Sequence, residues 1–77
     1  MNKDEHNKRN EIKRLLAKYL GIEDADIHED DLLREDLHMG PMDLTDFSQL
    51  LSEHSFEIKH SDWAEIESVD DIYDYLN

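Results

Sequence analysis

Apolar residues along this chain recur mostly at helical spacing. Ile12, Leu15, Leu16, Tyr19 and Leu20 fall at i, i+3, i+4, i+7 and i+8 with Lys13, Arg14 and Lys18 between them. That pattern predicts an amphipathic helix, beginning anywhere from Asp4 onward and stopped by Gly21. Leu44, Phe47, Leu50 and Leu51 predict a second helix from about Pro41 to His54, with Asp43, Asp46, Gln49 and Glu53 left outward. Gly40 tolerates a non-helical cap, and Pro41 brings a preset φ with no N–H to satisfy. Asp43 and Asp46 then fall in the opening turns, where the partial positive charge of a helix start favours carboxylates. Phe56-Glu57-Ile58 alternates too briefly for a strand and is expected to anchor a loop. Ser61 is placed to cap a short helix holding Trp63 and Ile66. Ser68 with Asp71 has the Ser-x-x-acid form of a capping box, opening a last helix with Val69, Ile72, Tyr73 and Leu76 on one face.

Between the first two helices lies a long acidic connection, Glu23 to Asp36, which Ile27, Leu32, Leu33 and Leu37 are expected to pin to the core. Loops of this length usually have a reason. Asp24, Asp26, Asp30 and Glu35 sit at offsets like those of a calcium loop, whose spaced oxygen donors end in a glutamate. The match fails inside: His28 fills the fifth position and Glu29 the sixth, where the turn wants glycine.

Composition narrows the function. Seventy-seven residues allow one small domain, 1–77, with disorder expected only near its start, within residues 1–10. The absence of cysteine excludes disulfides, thiolate metal sites and a thiol nucleophile. Eight basic residues against 21 acidic ones, a formal charge of −13, argue against nucleic acid or an anionic membrane surface as a partner and for a basic patch on another protein. No apolar run approaches the roughly 20 residues of a membrane span, and the polar start is no secretory signal, so a cytoplasmic monomer is expected. His6, His28, His38, His54 and His60 are scattered without a paired spacing, and no metal site is expected. Catalysis by the many carboxylates would need a pocket that separates their pKa values, and a chain this small predicts no such pocket and no enzyme.

The centre of the chain, Asp36-Leu37-His38-Met39-Gly40-Pro41-Met42-Asp43-Leu44, resembles the centre of an acyl carrier protein. There an acidic loop ending in Asp-Leu leads to Asp-Ser-Leu at the start of the second helix, and the serine carries a 4′-phosphopantetheine arm. Leu20-Gly21-Ile22 and the spacing of Ile58, Ile66, Val69, Tyr73 and Leu76 extend the resemblance over about residues 11 to 76. It implies an all-α bundle of three main helices plus one short helix. Counting forward from Leu20-Gly21-Ile22 and Asp36-Leu37 places Pro41 at the serine position. Counting backward from Ile58, Ile66 and Val69 places Gly40 there, and matching the leucine alone places Asp43. None has a hydroxyl, and His38 stands where carriers often have glycine. Thr45 and Ser48 come after the expected attachment point.

The resemblance therefore implies a carrier-like protein without its attachment residue, bearing no cofactor and acting as an acidic interaction module. Its contact residues would be His38, Met39, Met42, Asp43, Asp46 and Glu53, the two methionines forming an adaptable apolar patch. Two alternatives stay open: a working acyl or peptidyl carrier, with 4′-phosphopantetheine at a non-standard residue, and an acidic cation-responsive domain built on Asp24 to Glu35.

Overall fold

The computed structural model describes residues 3–76 of the chain. Three α-helices, α1 (Lys3–Leu20), α2 (Pro41–Glu53) and α3 (Val69–Asp74), are joined by loops that contain 3₁₀ turns at Asp24–Asp26 and His60–Glu65. The fold is all-α, as expected. α1 includes residues 3–10; Met1 and Asn2 lie outside the described residues.

α1 ends as its sequence dictates. Gly21 takes φ +74°, and the Ile22 N–H donates to the Ala17 carbonyl at 3.0 Å, closing the last turn. Ile12, Leu15, Leu16 and Ala17 turn inward and meet Leu44, Phe47 and Leu51 of α2. Phe47 is fully buried, tilted against Tyr19 at 6.1 Å between ring centroids and edge-on to Trp63 at 6.3 Å. Leu50 is only half-buried at the margin of this core, because the inward stripe of α2 is narrower than its four apolar residues suggest. Leu20 and Tyr73 share that marginal position.

The long connection is held at both faces. Ile27 and Leu33 are buried and Leu37 packs against them, while Leu32 forms an antiparallel bridge with Ser68. Backbone bonds Leu33 N–H to Glu67 C=O (2.8 Å), Val69 N–H to Asp31 C=O (3.0 Å) and Asp70 N–H to Glu29 C=O (2.9 Å) zip it to the start of α3. Arg9 of α1 adds ion pairs to Glu29 (3.8 Å) and Asp70 (3.9 Å) and stacks on the Tyr73 ring.

Its acidity has a local use. Asp26, Asp31 and Asp36 each turn a carboxylate oxygen back onto an earlier backbone N–H, of Glu23 (3.3 Å), His28 (2.9 Å) and Leu32 (2.7 Å). Loop donors that no helix or sheet would satisfy are thereby paired.

Two expectations near the C-terminus need correction. Lys59, not Ser61, sits at the N-cap of the fourth helical segment, which is a 3₁₀ helix. Ile66 is its C-cap residue, held by an N–H bond to the Trp63 carbonyl. α3 is only six residues long, so Leu76 packs on the core from beyond its end. The Ser68 box forms as read: Ser68 Oγ accepts from the Asp71 N–H at 3.3 Å, and Asp71 Oδ2 accepts from Ser68 N–H at 3.1 Å and Glu67 N–H at 3.0 Å.

Candidate functional site

The loop-to-helix junction at residues 38–46 brings together most of the expected contact residues. Gly40 is the N-cap of α2 with extended backbone (φ −87°), and Pro41 is its first residue. Gly40 has no side chain to reach the third helical residue, so only the returning half of a capping box exists: Asp43 Oδ2 accepts from the Gly40 N–H at 3.0 Å. A Cβ added at Gly40 would meet nothing nearer than that Asp43 oxygen at 3.9 Å, so the position has room for a larger residue.

Asp43 also binds across the bundle. The Tyr19 hydroxyl of α1 donates to Asp43 Oδ1 at 3.0 Å and lies 3.5 Å from Asp46 Oδ2. The Gly40 N–H, then the Tyr19 hydroxyl, hold the Asp43 carboxyl below its ordinary range. The phenol responds in the opposite sense: partial burial first, then the bond to Asp43 and the charges of Asp43 and Asp46, push Tyr19 up to about 12. Both oxygens of Asp43 thus fix the helix start.

The other expected contact residues divide. Met42 is 80% exposed, and His38, Asp46 and Glu53 are exposed with it. Met39 is 2% exposed and belongs to the core, which removes it from the surface patch. The reason lies in the backbone: His38 adopts a left-handed conformation (φ +58°), and the turn carries Met39 inward, its N–H donating to the Leu33 carbonyl at 2.9 Å. His38 supplies without glycine the turn for which a glycine is the usual residue.

None of the three candidate attachment positions, Gly40, Pro41 and Asp43, carries a hydroxyl. The next hydroxyl along, on Thr45, donates to the Pro41 carbonyl at 3.1 Å, one turn back along the helix. Among the described residues no group of three His, Asp or Glu side chains could hold a metal ion. No described helix is long and apolar enough to cross a membrane.

The structure also has what the sequence reading did not foresee, a pocket of about 220 Å³ beside the α2 start. It is lined by Pro41, Leu44 and Thr45 of α2, by His60, Trp63 and Ala64 of the 3₁₀ segment, and by Arg34. It arises where the His60–Glu65 turn meets α2, a long-range contact that no local spacing announces.

A short acidic helical bundle, built around an exposed junction between a long loop and the start of its second helix, has the architecture of a carrier domain. The family model described as "Phosphopantetheine attachment site" matches residues 10–76, and the chain belongs to that family. It is also 28% identical over 67 residues to an acyl carrier protein of Chlamydia caviae, an alignment covering 86% of this chain and 87% of that protein.

Proposed function

We propose that this domain is a carrier-type interaction module that does not take the phosphopantetheine arm. The observation that carries this reading is the α2 start, where Gly40, Pro41 and Asp43 occupy every register of the attachment position and none offers a hydroxyl. The residues present do not fit the arm: a glycine and a proline ring have no side-chain oxygen, and the Asp43 carboxylate, already hydrogen-bonded twice, is not the hydroxyl that the family's phosphodiester link uses. The Thr45 hydroxyl, its hydrogen held by the Pro41 carbonyl, is no substitute. The domain is accordingly read as non-enzymatic and free of cofactor.

Docking falls to the exposed side of α2 and the turn before it. Asp46 and Glu53 would meet a basic patch on the partner, with Met42 and His38 as apolar and adaptable contacts at its edge. Asp43 acts indirectly, holding the helix start in place. In this family such acidic residues meet the basic patches of enzymes that load and use the carrier, so a loading transferase is a suitable probe. Added to a mixture of an ordinary acyl carrier protein, coenzyme A and transferase, the chain should slow loading of the other carrier while keeping its own bare mass. Asp46→Lys with Glu53→Lys should abolish the competition. A chain that gains the arm contradicts the first half of the proposal, and charge reversal without effect contradicts the second.

A further inference from the structure

Charge is divided between the two long helices. Lys3, Lys8, Arg9, Lys13, Arg14 and Lys18, six of the eight basic residues, belong to α1, whose own carboxylates are Asp4, Glu5 and Glu11. α1 is therefore net positive in a chain of net charge −13. α2, with Asp43, Asp46 and Glu53, contains no Lys or Arg. The two helices pack together through Tyr19 and Phe47, so a basic and an acidic surface share a border.

That border runs through the last turn of α1. The Tyr19 hydroxyl donates to Asp43 at 3.0 Å and lies 3.5 Å from Asp46, which holds the end of α1 against the opening turns of α2. Lys18, the residue before Tyr19, is exposed in that turn. Among the described residues Lys18 has no carboxylate within ion-pair distance, whereas Arg14 is paired with Glu11 at 3.1 Å and Arg9 with Glu29 and Asp70. An ammonium that no neighbour neutralises keeps its field over the adjoining surface.

We propose that Lys18 is a repulsive margin of the docking surface, a charge that keeps a basic partner on α2 and off the α1 side. The inference rests on the reading of α2 as the docking side. A basic patch centred on Asp46 and Glu53 is attracted by both carboxylates, and one displaced toward α1 meets Lys18 and is repelled. Specificity depends on such penalties for the wrong pose as well as on contacts that favour the right one. The effect is local. Lys3, at the other end of α1, lies about 22 Å from Lys18 along the axis at 1.5 Å per residue, well beyond the screening length of about 8 Å at physiological salt.

The test is inhibition by this chain of the loading of an ordinary acyl carrier protein, with coenzyme A and a broad-specificity phosphopantetheinyl transferase at about 0.15 M salt. Lys18→Gln should inhibit at a concentration about twofold lower than wild type, and Lys18→Glu at about fivefold lower, as expected for one and two charge steps roughly 8 Å from a partner cation. Lys3→Gln and Lys3→Glu change the net charge equally and should leave the inhibitory concentration unchanged. A cation also suits the C-terminal end of a helix, and loss of that role alone would lower the melting temperature and weaken inhibition, the opposite sign. Equal effects at Lys18 and Lys3, or no tighter inhibition by a folded Lys18→Gln chain, overturns the margin. Asp46→Lys with Glu53→Lys separates the two readings: if that reversal abolishes inhibition while Lys18→Gln changes nothing, the margin alone falls, and if the reversal has no effect, the α2 reading falls and the margin with it.

Discussion

The starts of α2 and α3 use the same carboxylate and differ in one hydroxyl. At α3, Asp71 receives the N–H groups of Glu67 and Ser68, and Ser68 Oγ in turn receives the Asp71 N–H. At α2, Asp43 receives the Gly40 N–H, but Gly40 has nothing to return, and a bond from Tyr19 on another helix takes the second oxygen of Asp43. The Asp71 carboxylate is bonded wholly within its own five residues, Glu67 to Asp71, although the α3 backbone also donates to Glu29 and Asp31. The Asp43 carboxylate is held partly from another helix, and beside it is space at Gly40, one of the positions that the resemblance matches to the family's attachment serine. A helix start can therefore keep its shape after losing the hydroxyl, provided a long-range partner steadies the carboxylate.

The largest expected effect lies beneath both junctions. Phe47→Ala should cost about 3 to 5 kcal/mol in denaturant unfolding, since Phe47 is fully buried between Tyr19 and Trp63. A midpoint close to wild type would show that α2 is not the centre of the core. Next comes Ser68→Ala, which removes only the hydroxyl half of the α3 box and should cost about 1 kcal/mol by the same measurement. No change would mean that Asp71 alone caps α3, and the contrast with α2 would lose its force.

Titration separates the junctions further. Asp71, like Asp43, is held below the ordinary carboxylate range, first by the Glu67 N–H and then by that of Ser68. Such groups contribute stability above the unfolded-state value of about 4, and that contribution is lost as pH falls through the lower folded values. At the alkaline end, Tyr19 and Tyr73 are both pushed up to about 12, Tyr73 chiefly by burial and then by Glu29. Their contribution is complete below the ordinary value of about 10 and is lost as pH rises from there to about 12. Melting temperature against pH should therefore fall at both ends. Tyr19→Phe should remove part of the alkaline loss and return Asp43, but not Asp71, toward ordinary titration by NMR. Equal shifts of both carboxylates would contradict the separate support of the α2 start.

The smallest effect is expected at Gly40. Gly40→Ser should raise stability by a few tenths of a kcal/mol, completing at α2 the box that α3 already has.

What could be read beforehand follows the reach of each interaction. The Ser68 box, the Gly21 stop and the Pro41 start are contained within a few residues, and the structure has all three. Ser61 was misplaced because a hydroxyl near a turn is a weak cap signal when the segment is 3₁₀ and the chain enters it at Lys59. The burial of Met39 depends on the φ of His38, which residue type does not reveal. The outward spacing of Asp43 was legible, but its bond to Tyr19, 24 residues away, was not. The pocket escaped for the same reason, needing α2 and the His60–Glu65 turn to be brought together. The acidic loop resembles a cation site through the offsets of Asp24, Asp26, Asp30 and Glu35, of which Asp26 accepts a backbone N–H, as the neighbouring Asp31 and Asp36 do.

The central claim is that α2 begins as a carrier helix begins and lacks only the oxygen. It is tested most directly by intact mass after incubation of wild type, Gly40→Ser and Pro41→Ser with coenzyme A and a broad-specificity phosphopantetheinyl transferase. Wild type should keep the mass of the bare chain. Gly40→Ser, which retains a good cap and has room for the side chain, should gain one arm more readily than Pro41→Ser, which removes the ring that starts the helix. An arm on the wild type, or no arm on either variant, would contradict the account.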